Sequence, residues 1–286
     1  MYDALLLLSF GGPEGPDDVM PFLVNVLRGL NVPRERMLEV AEHYQHFGGV
    51  SPINEQNRAL ITALRKELDY HGCRLPIYWG NRNWYPLLTD TLQEMADNGV
   101  QRALAIFTSA FSSYSGCRQY RENIIAAQET VGRNAPQVDK LRVFFNHPGY
   151  IETMADRLRA SLSEIPAERH GSTRVIFTAH SIPLGMANNC AYVEQLSECC
   201  RLIGEMIGWP EWGLVYQSRS GPPQQPWLEP DICDELRRLK QETETTDVVI
   251  VPVGFISDHM EVLFDLDTEA QQVGDEIGLN VVRAKT

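Results

Sequence analysis

A histidine closes the apolar run of "RVIFTAHSIP" (174–183). A strand of that composition is covered on both faces, so its terminal polar residue, His180, is delivered to the carboxyl edge of a sheet. A second polar set follows another apolar run. The stretch "PVGFISDHMEVLFDLDTEA" (252–270) succeeds "VVIV" and turns helical, with Glu261, Asp265 and Glu269 four residues apart. In an α-helix each such step drifts by about 40°, so the three make a staggered acidic row. A wider, π-like turn aligns them better, and Asp267 faces another side. An imidazole facing a carboxylate can bind a divalent metal or move protons. The competing reading is structural: Asp258 and Glu261 form a D-x-x-E capping box, and acids suit the first turn of any helix.

Other loops carry groups suited to a flat, anionic ligand. In "YQSRSGPPQQPWLEPDI" (216–232), Arg219 and Ser220 suit a carboxylate, and Trp227 either covers a flat ring or packs within its domain. The loop "SFGGPEGP" (9–16) lacks G-x-G-x-x-G and so does not read as a dinucleotide site. "HFGGVSPINE" (46–55) offers Ser51, which before Pro52 also reads as a plain N-cap. "GNRNWYP" (80–86) offers Arg82 and Trp84. "TSAFSSYSGCRQYREN" (108–123) is hydroxyl-rich, with Tyr114 inside it, and then places Arg118 and Arg121 at a helix start. Positive charge there opposes the helix dipole and points to an anionic partner.

These residues need strands to carry them. Apolar runs of strand length recur at 4–10, 75–81, 102–109, 141–146, 174–181, 213–219, 247–255 and 280–284. Stretches such as 52–72, 85–99 and 150–165 carry apolar residues at helical spacing between them. The alternation predicts an α/β chain with two similar doubly wound, Rossmann-like domains, each with a four-stranded parallel sheet. The expected boundaries are 1–148 and 149–286, with a cleft between the domains. In such sheets ligands sit beyond the carboxyl ends of the strands, where His180 falls.

Bulk properties narrow the partners. A net charge of −13 disfavours nucleic acid, because phosphate binding needs a positive surface. A small anion met by a few local arginines remains compatible with it. The start "MYDALLLLSFGGPEGP" lacks a basic n-region, and no apolar stretch reaches the roughly 18 residues of a membrane span. The expectation is a cytoplasmic protein without a transmembrane segment, and a monomer. The six cysteines show no CxxC or zinc-like spacing and read as reduced, mostly buried thiols.

Taken together, "TAHSIP", "YQSRSGP…PWLEP", "P-x-GF-x-SDH-x-EVL-x-D-x-D-x-E", "GGVSPIN" and "FGGPEGP" resemble ferrochelatase, in that family's order and over essentially the whole chain. "LLSFGGPEGP", "HFGGVSPIN" and "GNRNW" look like the branch of actinobacterial-type Gram-positive bacteria, which is understood to act on coproporphyrin III where the classical members use protoporphyrin IX, and either porphyrin stays open as the substrate. The resemblance implies a lyase of haem biosynthesis, with ferrous iron and a porphyrin as substrates. It implies His180 and Glu261 as the pair for the metal and for pyrrole proton removal, which of them is base and which ligand staying open. It extends the metal-facing row to Asp265 and Glu269. Phe10, Ser51, Arg82, Tyr114, Arg219, Ser220 and Trp227 become candidate porphyrin contacts. Phe10 stands where some members carry a tyrosine able to reach the metal. Cys117 stands where that branch keeps one [2Fe–2S] ligand, the other three coming from a carboxyl-terminal extension. This chain ends at "RAKT" without the family's last helix and tail, so the expected cluster is confined to a longer natural form. The rival readings are a cobalt or nickel chelatase of another tetrapyrrole and a haem or porphyrin carrier without chemistry.

Overall fold

The computed structural model describes residues 1–29 and 32–286 and separates into two compact units. The first comprises Met1–Ser109, Ser115–Arg142 and Ser257–Met260, and the second Ala110–Tyr114, Val143–Ile256 and Glu261–Thr286.

The first unit is built on β1 (Ala4–Ser9), β2 (Ile77–Asn81), β3 (Arg102–Phe107) and β4 (Gln137–Lys140). The four strands are parallel in the order β2-β1-β3-β4. Every residue of β1 is buried, which its unbroken leucine run requires of a central strand covered on both faces. Its helices are α1 (Val19–Val26), α2 (Arg34–His46), α3 (Ile53–Tyr70), α4 (Leu88–Asp97) and α5 (Gln119–Val131). Leu88, Leu92 and Met95 of α4 and Tyr120, Ile124 and Ala127 of α5 recur at three- and four-residue steps and pack with Leu6, Leu8 and Phe107. A second cluster joins Val19 and Phe22 to Tyr44, Trp84 and Met260.

The second unit repeats the plan. It uses β5 (Thr173–His180), β6 (Trp212–Gln217), β7 (Asp247–Val251) and β8 (Asn280–Arg283). They are parallel in the order β6-β5-β7-β8, the same arrangement as the first sheet. Its helices are α6 (Pro148–Leu162), α7 (Leu184–Ala187), α8 (Tyr192–Ile207), α9 (Ile232–Glu242), α10 (Met260–Phe264), whose first residue belongs to the first unit, and α11 (Gln271–Ile277). A π-helical turn, Asp265–Ala270, links α10 to α11. The expected α/β class with two doubly wound, four-stranded parallel sheets is what the chain adopts.

One strand differs from the sequence reading. The fourth is Gln137–Lys140, not 141–146. Arg102 pairs with Gln137 and Ala105 with Lys140, which completes the edge of the sheet before the apolar "FF" is reached. Phe144 and Phe145 instead pack against the core of the second unit. β7 is also shorter than its apolar run, stopping at Val251 because Pro252 has no N–H for the ladder.

Candidate active site

Strand order sets the site. β6 lies on one side of β5 and β7 on the other, so the sheet's direction of winding reverses at the β5–β7 boundary. In sheets of this kind a ligand binds beyond the carboxyl ends of the strands at such a reversal. His180 is the last residue of β5, and the acidic helix follows β7.

The carboxyl end of β5 is firmly held. His180 pairs in register with Gln217, and the Ser181 N–H donates to the Gln217 carbonyl at 2.7 Å. The Tyr192 hydroxyl donates to the His180 carbonyl at 3.1 Å, and the Ser181 hydroxyl to the Leu228 carbonyl at 2.8 Å. Gly254, just past β7, approaches so closely that a Cβ there would lie 2.7 Å from the Ala179 Cα. Only glycine lets the two chain segments meet without displacing the residue before His180.

The imidazole is oriented by both nitrogens. Nδ1 donates to the Ser181 carbonyl, since a carbonyl can only accept. That leaves Nε2 directed at Glu261, 3.6 Å from Oε2. The His180 side chain is 30% exposed and that of Glu261 49%, so a ligand can reach the pair. Burial opposes charge on the ring, but the Glu261 carboxylate, the Ser181 carbonyl and Asp265 outweigh it, and the His180 pKa is raised above the ordinary histidine value.

The acidic row continues into the π-helical turn. Asp265 is half-buried and accepts a hydrogen bond from the Ser218 hydroxyl. Burial pushes its pKa up, the Ser218 bond opposes this, Glu261 and Glu269 reinforce it and His180 opposes it; the result is pushed up to about 7. Glu269 is exposed on the same turn, and Asp267 is held by the Arg283 guanidinium. Among the described residues no group of three or more His, Cys, Asp and Glu side chains converges as a ready metal cage. His180 and Glu261 are two potential donors, one nitrogen and one oxygen, that face each other.

The remaining candidates have varied surroundings. Ser51 is buried beneath Gly12, where a Cβ would come within 2.6 Å of the Ser51 Cβ. The Arg82 Nε donates to Asn123 Oδ1 at 2.7 Å, and its guanidinium lies 5.6 Å from the Phe10 ring centroid and 4.7 Å from that of Tyr120. Among the described residues no carboxylate pairs with Arg82. Tyr114 is exposed and opens the π-helical turn Tyr114–Arg118 that also holds Cys117. Arg118, expected to await an anionic ligand, pairs with Glu122 at 3.0 Å. The exposed Arg219 turns back on its own loop and donates to the carbonyls of Pro222, Pro223 and Gln225. Ser220 is exposed beside it. Trp227 is buried and bridges to Pro183, and a Cβ on Gly221 would lie 2.3 Å from the indole nitrogen.

Two neighbours of the pair escaped the sequence reading. The Gln217 side chain donates from Nε2 to the Glu261 carbonyl at 3.1 Å, and Ser218 holds Asp265. Gln217 carries the same signal as His180, a polar residue ending an apolar strand. Nothing in composition singles out Ser218.

The family model described as Ferrochelatase matches residues 2–286. A ferrochelatase of Rhodopirellula baltica is 62% identical over 283 residues, covering 99% of this chain and 80% of that one. A coproporphyrin III ferrochelatase of Streptomyces coelicolor is 55% identical over 303 residues, covering 100% of this chain and 80% of that one. Among solved structures, that of CbiX, titled the terminal enzyme for biosynthesis of siroheme in denitrifying bacteria, aligns with a TM-score of 0.45 at 14% identity, covering 97% of this chain and 89% of that one. With residues 2–286 matched and a relative at 62% identity, the chain belongs to the ferrochelatase family, the metal chelatases that insert ferrous iron into a porphyrin in haem synthesis.

Proposed function

We propose that the chain inserts Fe²⁺ into coproporphyrin III to give coprohaem, with His180 and Glu261 as the working pair. The observation that carries this reading is the 3.6 Å approach of the imidazole Nε2 to the carboxylate where the second sheet reverses its winding. A free-base porphyrin has two inward N–H groups, and both protons leave as the metal enters. The His180 Nε2, with Nδ1 already satisfied by a carbonyl, can take a proton and have its new charge met by Glu261. One member of the pair removes protons while the other holds iron, through weak mixed N/O ligation that lets it pass to the four pyrrole nitrogens. Asp265 and Glu269 continue the row along which iron arrives. Bending the ring against the walls of its site exposes the nitrogens to the metal, at a conformational cost repaid by binding.

Phe10, Ser51, Arg82, Tyr114, Arg219, Ser220 and Trp227 are the proposed porphyrin contacts. Arg82 is the best supported as a propionate partner, because its charge has rings and an amide around it but no carboxylate. Four propionates on coproporphyrin, against two on protoporphyrin, make such contacts count more, and a relative named for coproporphyrin III at 55% identity supports the same choice. No described helix is long and apolar enough to cross a membrane; a cytoplasmic, monomeric enzyme is the proposed state. A [2Fe–2S] cluster needs four ligands converging on two irons. Among the described residues no such group surrounds Cys117, so the residues present do not fit one and no step runs through it.

The test is the iron-dependent loss of free-porphyrin fluorescence with purified protein, run with coproporphyrin III and protoporphyrin IX and with Fe²⁺, Co²⁺ and Ni²⁺. Fastest turnover with Fe²⁺ and coproporphyrin III is expected. Porphyrin binding without turnover would mark a carrier, and preference for cobalt or nickel another chelatase.

A further inference from the structure

The helix that carries Glu261 and Asp265 is gripped by two consecutive residues of another element. Gln217, the last residue of β6, is buried and donates from Nε2 to the Glu261 carbonyl at 3.1 Å. Ser218, the next residue, donates its hydroxyl to Asp265 Oδ2. Glu261 and Asp265 are one helical step apart on the same row, so the two bonds fix the helix both along its axis and about it.

Both residues bear a local cost that folding alone does not explain. Ser218 is the one non-glycine residue with positive φ among those described, at +63°. That conformation crowds a Cβ, and glycine is the residue that adopts it freely. Backbone strain of this kind persists where the surroundings hold it and clusters at functional sites. Gln217 leaves its buried Oε1 without a protein partner, a feature an apolar residue of similar shape would lack. A purely structural role is served better by a glycine in place of Ser218 and by an apolar side chain in place of Gln217.

On the reading that His180, Glu261 and Asp265 meet iron, we infer that Gln217 and Ser218 are positioning residues that aim the metal-facing carboxylates. Gln217 acts through the helix backbone and Ser218 through the Asp265 carboxylate, and neither touches iron or ring. Ser218 holds Asp265 on the side of the row that leads to Glu261, and Gln217 sets the height of Glu261 opposite His180. Loss of either leaves the fold intact and lets the carboxylates swing.

The experiment compares Ser218→Gly, Ser218→Ala and Gln217→Met with wild type in the full chain. Fe²⁺ affinity without porphyrin is measured by anaerobic calorimetry, and initial rates are measured with iron and porphyrin varied separately. Ser218→Gly is expected to melt at or above the wild-type temperature, since glycine relieves the strain. Its Fe²⁺ affinity should fall about tenfold and its KM for iron rise by a similar factor, with KM for porphyrin nearly unchanged. Ser218→Ala should lose the same iron affinity but melt lower than Ser218→Gly. Gln217→Met should fold as stably as wild type and lose iron affinity. Unchanged iron affinity in Ser218→Gly overturns the inference, as does an equal rise of both KM values, which would indicate general disturbance. If wild type binds iron but inserts none, the proposed function fails while the affinity ratios still decide this inference.

Discussion

His180 Nε2 stands 3.6 Å from Glu261 Oε2, and the two atoms reach that point from elements that follow different strands. The histidine is rigid, pinned at its backbone by Gln217 and Tyr192 and at its ring by Ser181. The carboxylate rides on a short helix whose direction depends on side-chain bonds.

Glu261→Gln removes the anion that raises the His180 pKa. Without that anion the imidazole pKa falls below its wild-type position. In wild type, the raised pKa adds stability that is fully present below the unfolded histidine value and is lost as pH rises through the folded value. The variant should lose that increment at low pH. Imidazole titration by NMR checks the first point and melting temperature against pH the second.

Asp265 has the opposite habit from most carboxylates, its pKa being pushed up from 3.8 to about 7. Its protonated form is favoured by folding, so its contribution is present below the unfolded value and is lost as pH rises from 3.8 through about 7. Asp265→Asn should therefore gain melting temperature relative to wild type at pH 8 and show little gain at pH 4. Each kcal/mol is worth roughly 2–4 °C in a chain of this order of size. Parallel pH-independent offsets would contradict the assignment.

Gly254→Ala forces a methyl to within 2.7 Å of the Ala179 backbone. The end of β5 must shift, at a cost of about 1–3 kcal/mol typical of overpacking. Because the shifted residue adjoins His180, turnover should fall more than stability, by about 10²-fold for a displacement near 1 Å. Denaturation midpoints and kcat together measure the split.

Arg82→Ala should weaken coproporphyrin III more than protoporphyrin IX. A charge-assisted hydrogen bond is worth about 1.5–3 kcal/mol, or roughly tenfold or more in affinity. Equal losses for both rings, read by fluorescence titration, would remove Arg82 from the propionate contacts.

The doubly wound sheets were legible because their central strands β1, β5 and β7 are buried along most or all of their length and read as near-continuous apolar runs. His180 and the acidic row were legible for a related reason, since a polar residue that ends such a run has the sheet's edge as its destination. The four-residue spacing of Glu261, Asp265 and Glu269 even anticipated a widened turn, and a π-helical turn begins at Asp265. What stayed hidden depends on contacts distant in sequence. "LRVFFN" reads as a strand by composition, yet β4 is the more polar "QVDK" because register beside β3, not hydrophobicity, selects an edge strand. That Arg219 also donates to three carbonyls of its own loop is not visible in the sequence. Ser218 carries no turn signature, and its positive φ appears only in three dimensions.

The central claim is that the pair formed by His180 and Glu261 performs the insertion step and does not merely hold the ring. His180→Ala in the full chain tests it most directly, with iron-dependent loss of free-porphyrin fluorescence followed anaerobically and porphyrin affinity measured on the same preparation. Insertion should fall by about 10²–10⁴-fold, the usual worth of a positioned acid–base group. Porphyrin affinity should stay close to wild type, because apolar walls and propionate contacts hold the ring. Near-wild-type turnover in this variant would contradict the account.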